Sequence, residues 1–264
     1  AVVFMAVMDE FKEQREAMKH GTPKEKLSYF WYYYKWHVIV TAAVLVIIVS
    51  FVAEQVNKKD PALYAIFLNS WANSELSESY VDGFEEQQNI DTSKYEVSVD
   101  TSMFISQNAT DESTYASVQK LMVFIAAQQV DVLASDVTTM YTYAYQDNLA
   151  DLREILDEEE YAKYEDRFFY IDGKVRDQIE EANNSLDSDF TVEYPDPTDP
   201  DSMDDPIPVA IYLNDAPNLS KVYSFQEEDA VMGVVVNSTH PELAIKFIDY
   251  VFDGGNIQDS SIGE

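Results

Sequence analysis

The residues best equipped to bind or react fall in two short phrases. Asn69-Ser70-Trp71 follows the apolar run Leu63–Leu68, and Ser135-Asp136 follows the run Val130–Ala134. Asn69 and Asp136 can orient a ligand through directional hydrogen bonds, Ser70 and Ser135 add hydroxyls, and the Trp71 indole offers a flat face for a sugar or an apolar group. Tyr141 joins them as a candidate lining residue. Tyr141, Tyr143 and Tyr145 share an i, i+2, i+4 spacing that cannot lie on one helical face, so at least one of them points elsewhere. Each candidate also has a structural reading: Asp136 fits an N-cap of the following helix, and Trp71 fits packing on a sheet edge.

Other chemistries are thinly represented. With no Cys, the chain has no disulfide, thiol nucleophile or zinc finger, and three His leave little for a metal cage or a Ser-His-Asp triad. His240 lies inside the capping box Thr239-x-x-Glu242 and is followed by Pro241, which argues against catalysis. The seven Gly form no phosphate-cradling pattern. No spacing singles out a pair of carboxylates for glycoside hydrolysis. A net charge of −32 opposes nucleic-acid binding. No catalytic residue, metal or cofactor is expected. The densest acid, Glu193–Pro206, holds four Pro and six acids and reads as an extended, exposed loop. A calcium site there is the weaker alternative, because the EF-hand spacing is missing.

The elements that must position these residues alternate in type. Strands are expected at Leu63–Leu68, around Val97, at Val130–Ala134, at Phe168–Ile171, at Val209–Leu213 and at Val231–Val236. Helices are expected over 74–88, 111–129, about 137–156, 158–165, 176–184 and from Thr239 to Gly254. Asp172-Gly173 reads as a hairpin turn into Lys174-Val175. Such alternation predicts an α/β fold with a mostly parallel sheet and helices on both faces. Ligands of open α/β sheets gather at the carboxyl ends of strands, which would bring Asn69, Ser70 and Trp71 near Ser135 and Asp136.

The charge divides around one segment. Trp36–Ala53 is 18 residues without a formal charge, preceded by Tyr29–Trp36, in which seven of eight residues are aromatic. A helix of that length spans roughly 27 Å, close to a bilayer's hydrocarbon core, and the aromatics suit the headgroup region. Residues 1–36 carry six basic and five acidic residues, whereas 54–264 carry 11 basic and 44 acidic, a net −33. The basic flank is expected to stay cytoplasmic. The domain reading is therefore 1–35 cytoplasmic segment, 36–53 transmembrane helix (an uncleaved signal-anchor), 54–60 linker, and 61–264 extracellular domain. Within the first part, 9–20 reads as a short helix, and Thr22-Pro23-Lys24-Glu25 opens a long helix running to about Val56. Met8 is a candidate initiator, with the residues before it reading as a prefix.

Two longer phrases carry a family resemblance. Val130-Asp-Val-Leu-Ala-Ser-Asp136, with Asn148-Leu-Ala-Asp-Leu-Arg-Glu-Ile-Leu156 after it, resembles a "DV" strand, helix and "L.DL..lL" phrase of the extracellular solute-binding proteins of bacterial ABC importers. Met232–Val251 resembles the late strand, "NS.hPE.A" turn and helix of that family. The resemblance implies a periplasmic-binding-protein-like fold, capture of a small solute (sugar or peptide class) without catalysis, and an ABC importer permease or another membrane protein as partner beside the lipid bilayer. The 204 residues from Pro61 are short for two full lobes. A surface interaction or assembly role on a degenerate binding-protein fold is the alternative.

Overall fold

The computed structural model describes residues 22–57, 59–106, 112–185 and 191–256. The expected helix at 9–20 lies outside them. Two compact units divide between Lys58 and Lys59.

The first unit contains helix α1, Pro23–Asn57, 35 residues in length. Pro at the first helical position fits a helix start, since its missing N–H would be unbonded there anyway. At 1.5 Å per residue the helix is about 52 Å long. Its apolar residues look out in every direction: Val38, Ile39 and Val40, then Val44 through Val49, are all exposed. Among the described residues no helix is long and apolar enough to cross a membrane. The described side chains of α1 end at Ser50, three residues before the uncharged run of the sequence ends at Ala53.

The second unit is built on a six-stranded sheet in the order β3-β1-β4-β8-β6-β5. Its strands are β1 (Asp60–Phe67), β3 (Tyr95–Asp100), β4 (Val132–Asp136), β5 (Phe168–Asp172), β6 (Pro206–Tyr212) and β8 (Ala230–Val234). The β1–β3 and β1–β4 pairs are parallel, whereas β4–β8, β8–β6 and β6–β5 are antiparallel. Four strands (β1, β3, β4, β6) thus run one way and two (β5, β8) the other. The parallel character is confined to neighbours on one side of the sheet. A short ribbon pairs β2 (Ser70–Ala72) with β7 (Tyr223–Phe225).

Alternation along the central strands supplies both faces. Leu63, Ala65 and Phe67 of β1 enter one apolar cluster, and Ile66 and Leu68 enter the other. The first cluster is covered by α2 (Ser77–Gln87), α5 (Leu152–Ile155), α6 (Glu158–Tyr164) and α9 (Pro241–Phe252), through residues such as Phe84, Leu152, Tyr164 and Phe247. The second is covered by α3 (Glu112–Ala126), α4 (Val137–Ala144) and α7 (Gly173–Ser185), through Leu121, Ile125, Met140 and Val175. Both clusters draw only on residues 62–252, so the second unit carries its own complete core.

Several elements depart from expectation. Helix α1 continues through 54–57, read as linker, and β1 starts at Asp60 rather than Leu63. Asp172-Gly173 makes no hairpin. The Asp172 carboxylate accepts the Lys174 N–H at 2.9 Å, and the chain turns into α7. The helix expected over 137–156 breaks after Ala144, where Asp147 takes a positive φ and Leu149 bridges to Val235. The helix expected over 111–129 ends at Ala126 in α3, whose buried residues are Leu121 and Ile125. The acidic 193–206 segment is not wholly solvated: Pro197 accepts the Tyr170 N–H at 2.9 Å and Met203 is buried, so the segment closes the β5 edge. Thr239 does not cap α9. His240 occupies the N-cap, its side chain making no capping bond and its Nδ1 lying 3.3 Å from Asp131 Oδ1, and Pro241 follows at the first helical position. The buried Asp131 instead accepts the Ser238 hydroxyl at 2.6 Å and the His240 N–H at 3.3 Å. Gly254 and Gly255 end α9 with φ of 96° and 54°, a left-handed exit that glycine permits.

Candidate functional site

β1 and β4 are parallel neighbours with Phe67 opposite Ala134, so their carboxyl ends share one edge of the sheet. The chain leaves β1 through Asn69, whose φ of 51° turns it sharply. Asn tolerates this left-handed conformation better than most residues. The turn buries the Asn69 amide, which donates to Ile105 O at 3.0 Å, Asp136 Oδ2 at 3.0 Å and Thr139 Oγ1 at 2.9 Å, while its carbonyl accepts Ile105 N–H at 2.7 Å. Asp136 uses its other oxygen to accept Thr139 N–H at 2.8 Å, capping α4. Ser70 donates to Phe67 O at 2.8 Å and Ser135 to Asp136 O at 2.7 Å. All four residues are buried.

The structure therefore brings Asn69, Ser70, Ser135 and Asp136 to one edge, yet their polar groups are engaged within the protein. Neither serine faces a base, so nothing in this node is arranged as an activated nucleophile. It is an internally satisfied polar knot.

Trp71 and Tyr141 stand apart from that knot. Trp71 is 53% exposed and its ring lies 5.1 Å from Phe104, itself 37% exposed. Tyr141 is half-buried among aromatics, 5.3 Å from Phe169, 5.2 Å from Tyr194 and 6.4 Å from Tyr145. Burial, with Tyr145 and Asp196 nearby, pushes its hydroxyl up to about 12, so it is a neutral donor at physiological pH rather than a base.

The concavity at this edge is lined by residues that the sequence patterns did not single out. In the β2–β7 ribbon, Ser70 faces Phe225 and Trp71 faces Ser224. Alternation puts Tyr223 and Phe225 on one side of the ribbon and Trp71 on the other. Tyr223, Ser224 and Phe225 border a depression of about 250 Å³. Its lining combines the buried Leu213, Leu219 and Tyr223 and the half-buried Phe225 with polar residues, among them Asn214, Ser220 and the exposed Glu227 and Glu228. The depression adjoins the knot: Ala230, another lining residue, pairs with Asp136, and Thr138 donates to Glu227 at 2.7 Å. The only sequence hint was the alternation Tyr-Ser-Phe before Glu-Glu-Asp. Among the described residues no group of three or more His, Asp or Glu could hold a metal ion.

No protein-family model matches this chain, and no curated protein matches it. A solved structure, the substrate binding domain of a putative molybdenum ABC transporter from Clostridium difficile, is similar at 14% identity with a TM-score of 0.29. The likeness covers 73% of this chain and 93% of that one. A TM-score this low does not establish a shared fold.

Proposed function

We propose that this chain is a membrane-anchored, extracytoplasmic binding protein that captures a small solute or peptide at the strand-end mouth and performs no chemistry on it. The observation that carries this reading is the pairing of an internally satisfied polar knot with an open depression of mixed polar and apolar lining beside it. Such a mouth offers a shaped seat and no reacting group. A panel of sugars, peptides and amino acids, screened by thermal shift against residues 59–264, tests it. At least one class is expected to raise the melting temperature, and no shift across the panel refutes the reading.

The anchor rests on α1. Apolar side chains exposed on all sides are unfavourable in water and suited to lipid, and the uncharged run of the sequence is bilayer-length. The basic flank of the sequence supports a cytoplasmic N-terminus and an acidic unit outside, where an importer permease is a fitting partner. Carbonate-resistant membrane association and digestion of the acidic unit by protease added to intact cells are expected. A soluble or protected unit sinks this part.

A second reading is favoured by Trp71 and Phe104. Their exposed pair forms a surface outside the depression, which suits docking of a protein rather than enclosure of a solute. Trp71→Ala would then weaken association with a membrane partner while leaving small-ligand shifts unchanged.

A further inference from the structure

Helix α3 has two faces of different kinds. Leu121 and Ile125 are buried in the second apolar cluster, and Met122 and Phe124 are half-buried against it. The face turned to solvent carries Tyr115, 68% exposed, then Gln119, then Val123, 61% exposed. Steps of four residues make these one ridge along the helix. The exposed Ala116 and Ala126 lie beside the ridge, and their small side chains leave grooves there.

This surface lacks the charge that covers much of the unit. From Ser113 to Val130 the only charged residue is Lys120, and Asp100 Oδ2 holds its ammonium at 3.1 Å. By contrast, α2 exposes Glu78, Asp82 and Glu86, and α7 exposes Asp177, Glu180 and Glu181. Residues 54–264 carry 44 acids against 11 bases, so two copies of the unit repel wherever their acidic surfaces meet. The solvent face of α3 escapes that repulsion. It is also complementary to itself. In an antiparallel pair about a two-fold axis at Gln119, Tyr115 of each copy lies against Val123 of the other, so the two contacts are equivalent. The two Gln119 amides then meet on the axis, and each can both donate and accept. Within one copy Gln119 makes no hydrogen bond among the described residues.

We propose that α3 is the surface on which a second copy of this chain docks, as a two-fold antiparallel helix pair centred on Gln119. The face offers a partner of another kind no charge to recognise, whereas a second copy fits its own ridge into the same grooves. One helix face offers less than the roughly 800 Å² per partner of a standard interface, so the pairing is weak and reversible. The proposal is independent of solute capture, because α3 contributes no residue to the polar knot or to the depression beside it.

Sedimentation velocity of residues 59–264, which contain the whole core, tests it from micromolar to submillimolar concentration. A monomer–dimer equilibrium is expected. It should strengthen as sodium chloride is raised, since salt screens the repulsion between the acidic bodies and leaves an apolar contact intact. Val123→Glu and Gln119→Glu each set like charges against one another at the contact and should weaken dimerisation about tenfold or more. Both positions are exposed, so circular dichroism and melting should not change. The chain has no cysteine, so Gln119→Cys reports the axis directly: copper phenanthroline should join two copies through it, while Glu78→Cys on α2 stays monomeric. A monomer at every concentration and salt level, a dimer indifferent to both Glu variants, or no more cross-linking at Gln119→Cys than at Glu78→Cys overturns the proposal. A monomer that instead floats with phosphatidylcholine vesicles, and loses this with Val123→Glu, also overturns it and gives the face to lipid.

Discussion

Replacing Asn69 separates scaffold from contact at the strand-end mouth. Asn69 is 3% exposed, and its amide N–H groups are shared among three acceptors while its carbonyl takes the Ile105 N–H. Asn69→Ala removes the equivalent of three hydrogen bonds, each worth about 1 kcal/mol net, with more for the one to the Asp136 carboxylate. It also leaves the buried Asp136 oxygen and Ile105 N–H short of a partner. The φ of 51° adds about 1 kcal/mol when Ala takes it. The expected loss is about 4 kcal/mol, read as a fall in the urea midpoint of residues 59–264 at constant m-value. Asn69→Gly forfeits the same bonds but tolerates the dihedral, so it should be about 1 kcal/mol milder than Ala. Asn69→Asp places a second carboxylate against Asp136 and should be at least as costly as Ala. A loss under about 1.5 kcal/mol for Ala, or a Gly variant no milder than Ala, refutes the argument that the knot is structural. The Gly variant keeps the comparison informative if Ala does not fold.

Further expectations concern the core and its titration. Tyr80 is fully buried and its hydroxyl has no partner among the described residues, so Tyr80→Phe should stabilise the unit by about 1 kcal/mol in the same assay, and a loss would contradict the orphan assignment. A Cβ at Gly233 would meet Val209 O at 2.5 Å across the β6–β8 pair, so Gly233→Ala should cost about 2 kcal/mol or more, and a neutral result would show that the strands can part freely. Burial pushes the Asp100 carboxyl upward, but hydrogen bonds from Ser102, Tyr64 and Lys120 outweigh it and hold the group at about 2, against an ordinary 3.8. A depressed folded-state value means stability that is present above about pH 4 and disappears as the pH falls through 2, worth about 2 kcal/mol at pH 7. Asp100→Asn should therefore be less stable than the parent at pH 6, with the gap narrowing toward pH 2. A gap independent of pH would refute the linkage.

What could be read from the sequence depended on whether the deciding contact was local. The meeting of Asn69 with Asp136 followed from two apolar strands that pair in parallel, with the intervening chain returning through helices. The left-handed exit of α9 followed from Gly254-Gly255 alone. By contrast, Asp-Gly signals a hairpin or an N-cap with equal force. At Asp172 the choice fell to Val175 and Ile179, which pack a helix onto the second apolar cluster. The Thr239 box failed because Asp131, more than one hundred residues earlier, takes the Ser238 hydroxyl and the His240 N–H.

The same distinction governs the site. Polar residues at strand ends are natural candidates for ligand contacts, but the turn that leads away from β1 needs partners of its own. Asn69 finds them in Ile105 and Thr139, neither of which lies in the phrases that drew attention to it. Once its amide and the Asp136 carboxylate are spent on the turn, the unengaged surface lies beside the knot. That neighbour is the β2–β7 ribbon, a pairing of two three-residue strands separated by about 150 residues. Three residues carry too little periodicity to declare a strand, and no local pattern announces a partner so distant. The depression beside Tyr223 and Phe225 thus depends on a tertiary contact, while its acidic rim was visible all along as Glu227-Glu228-Asp229.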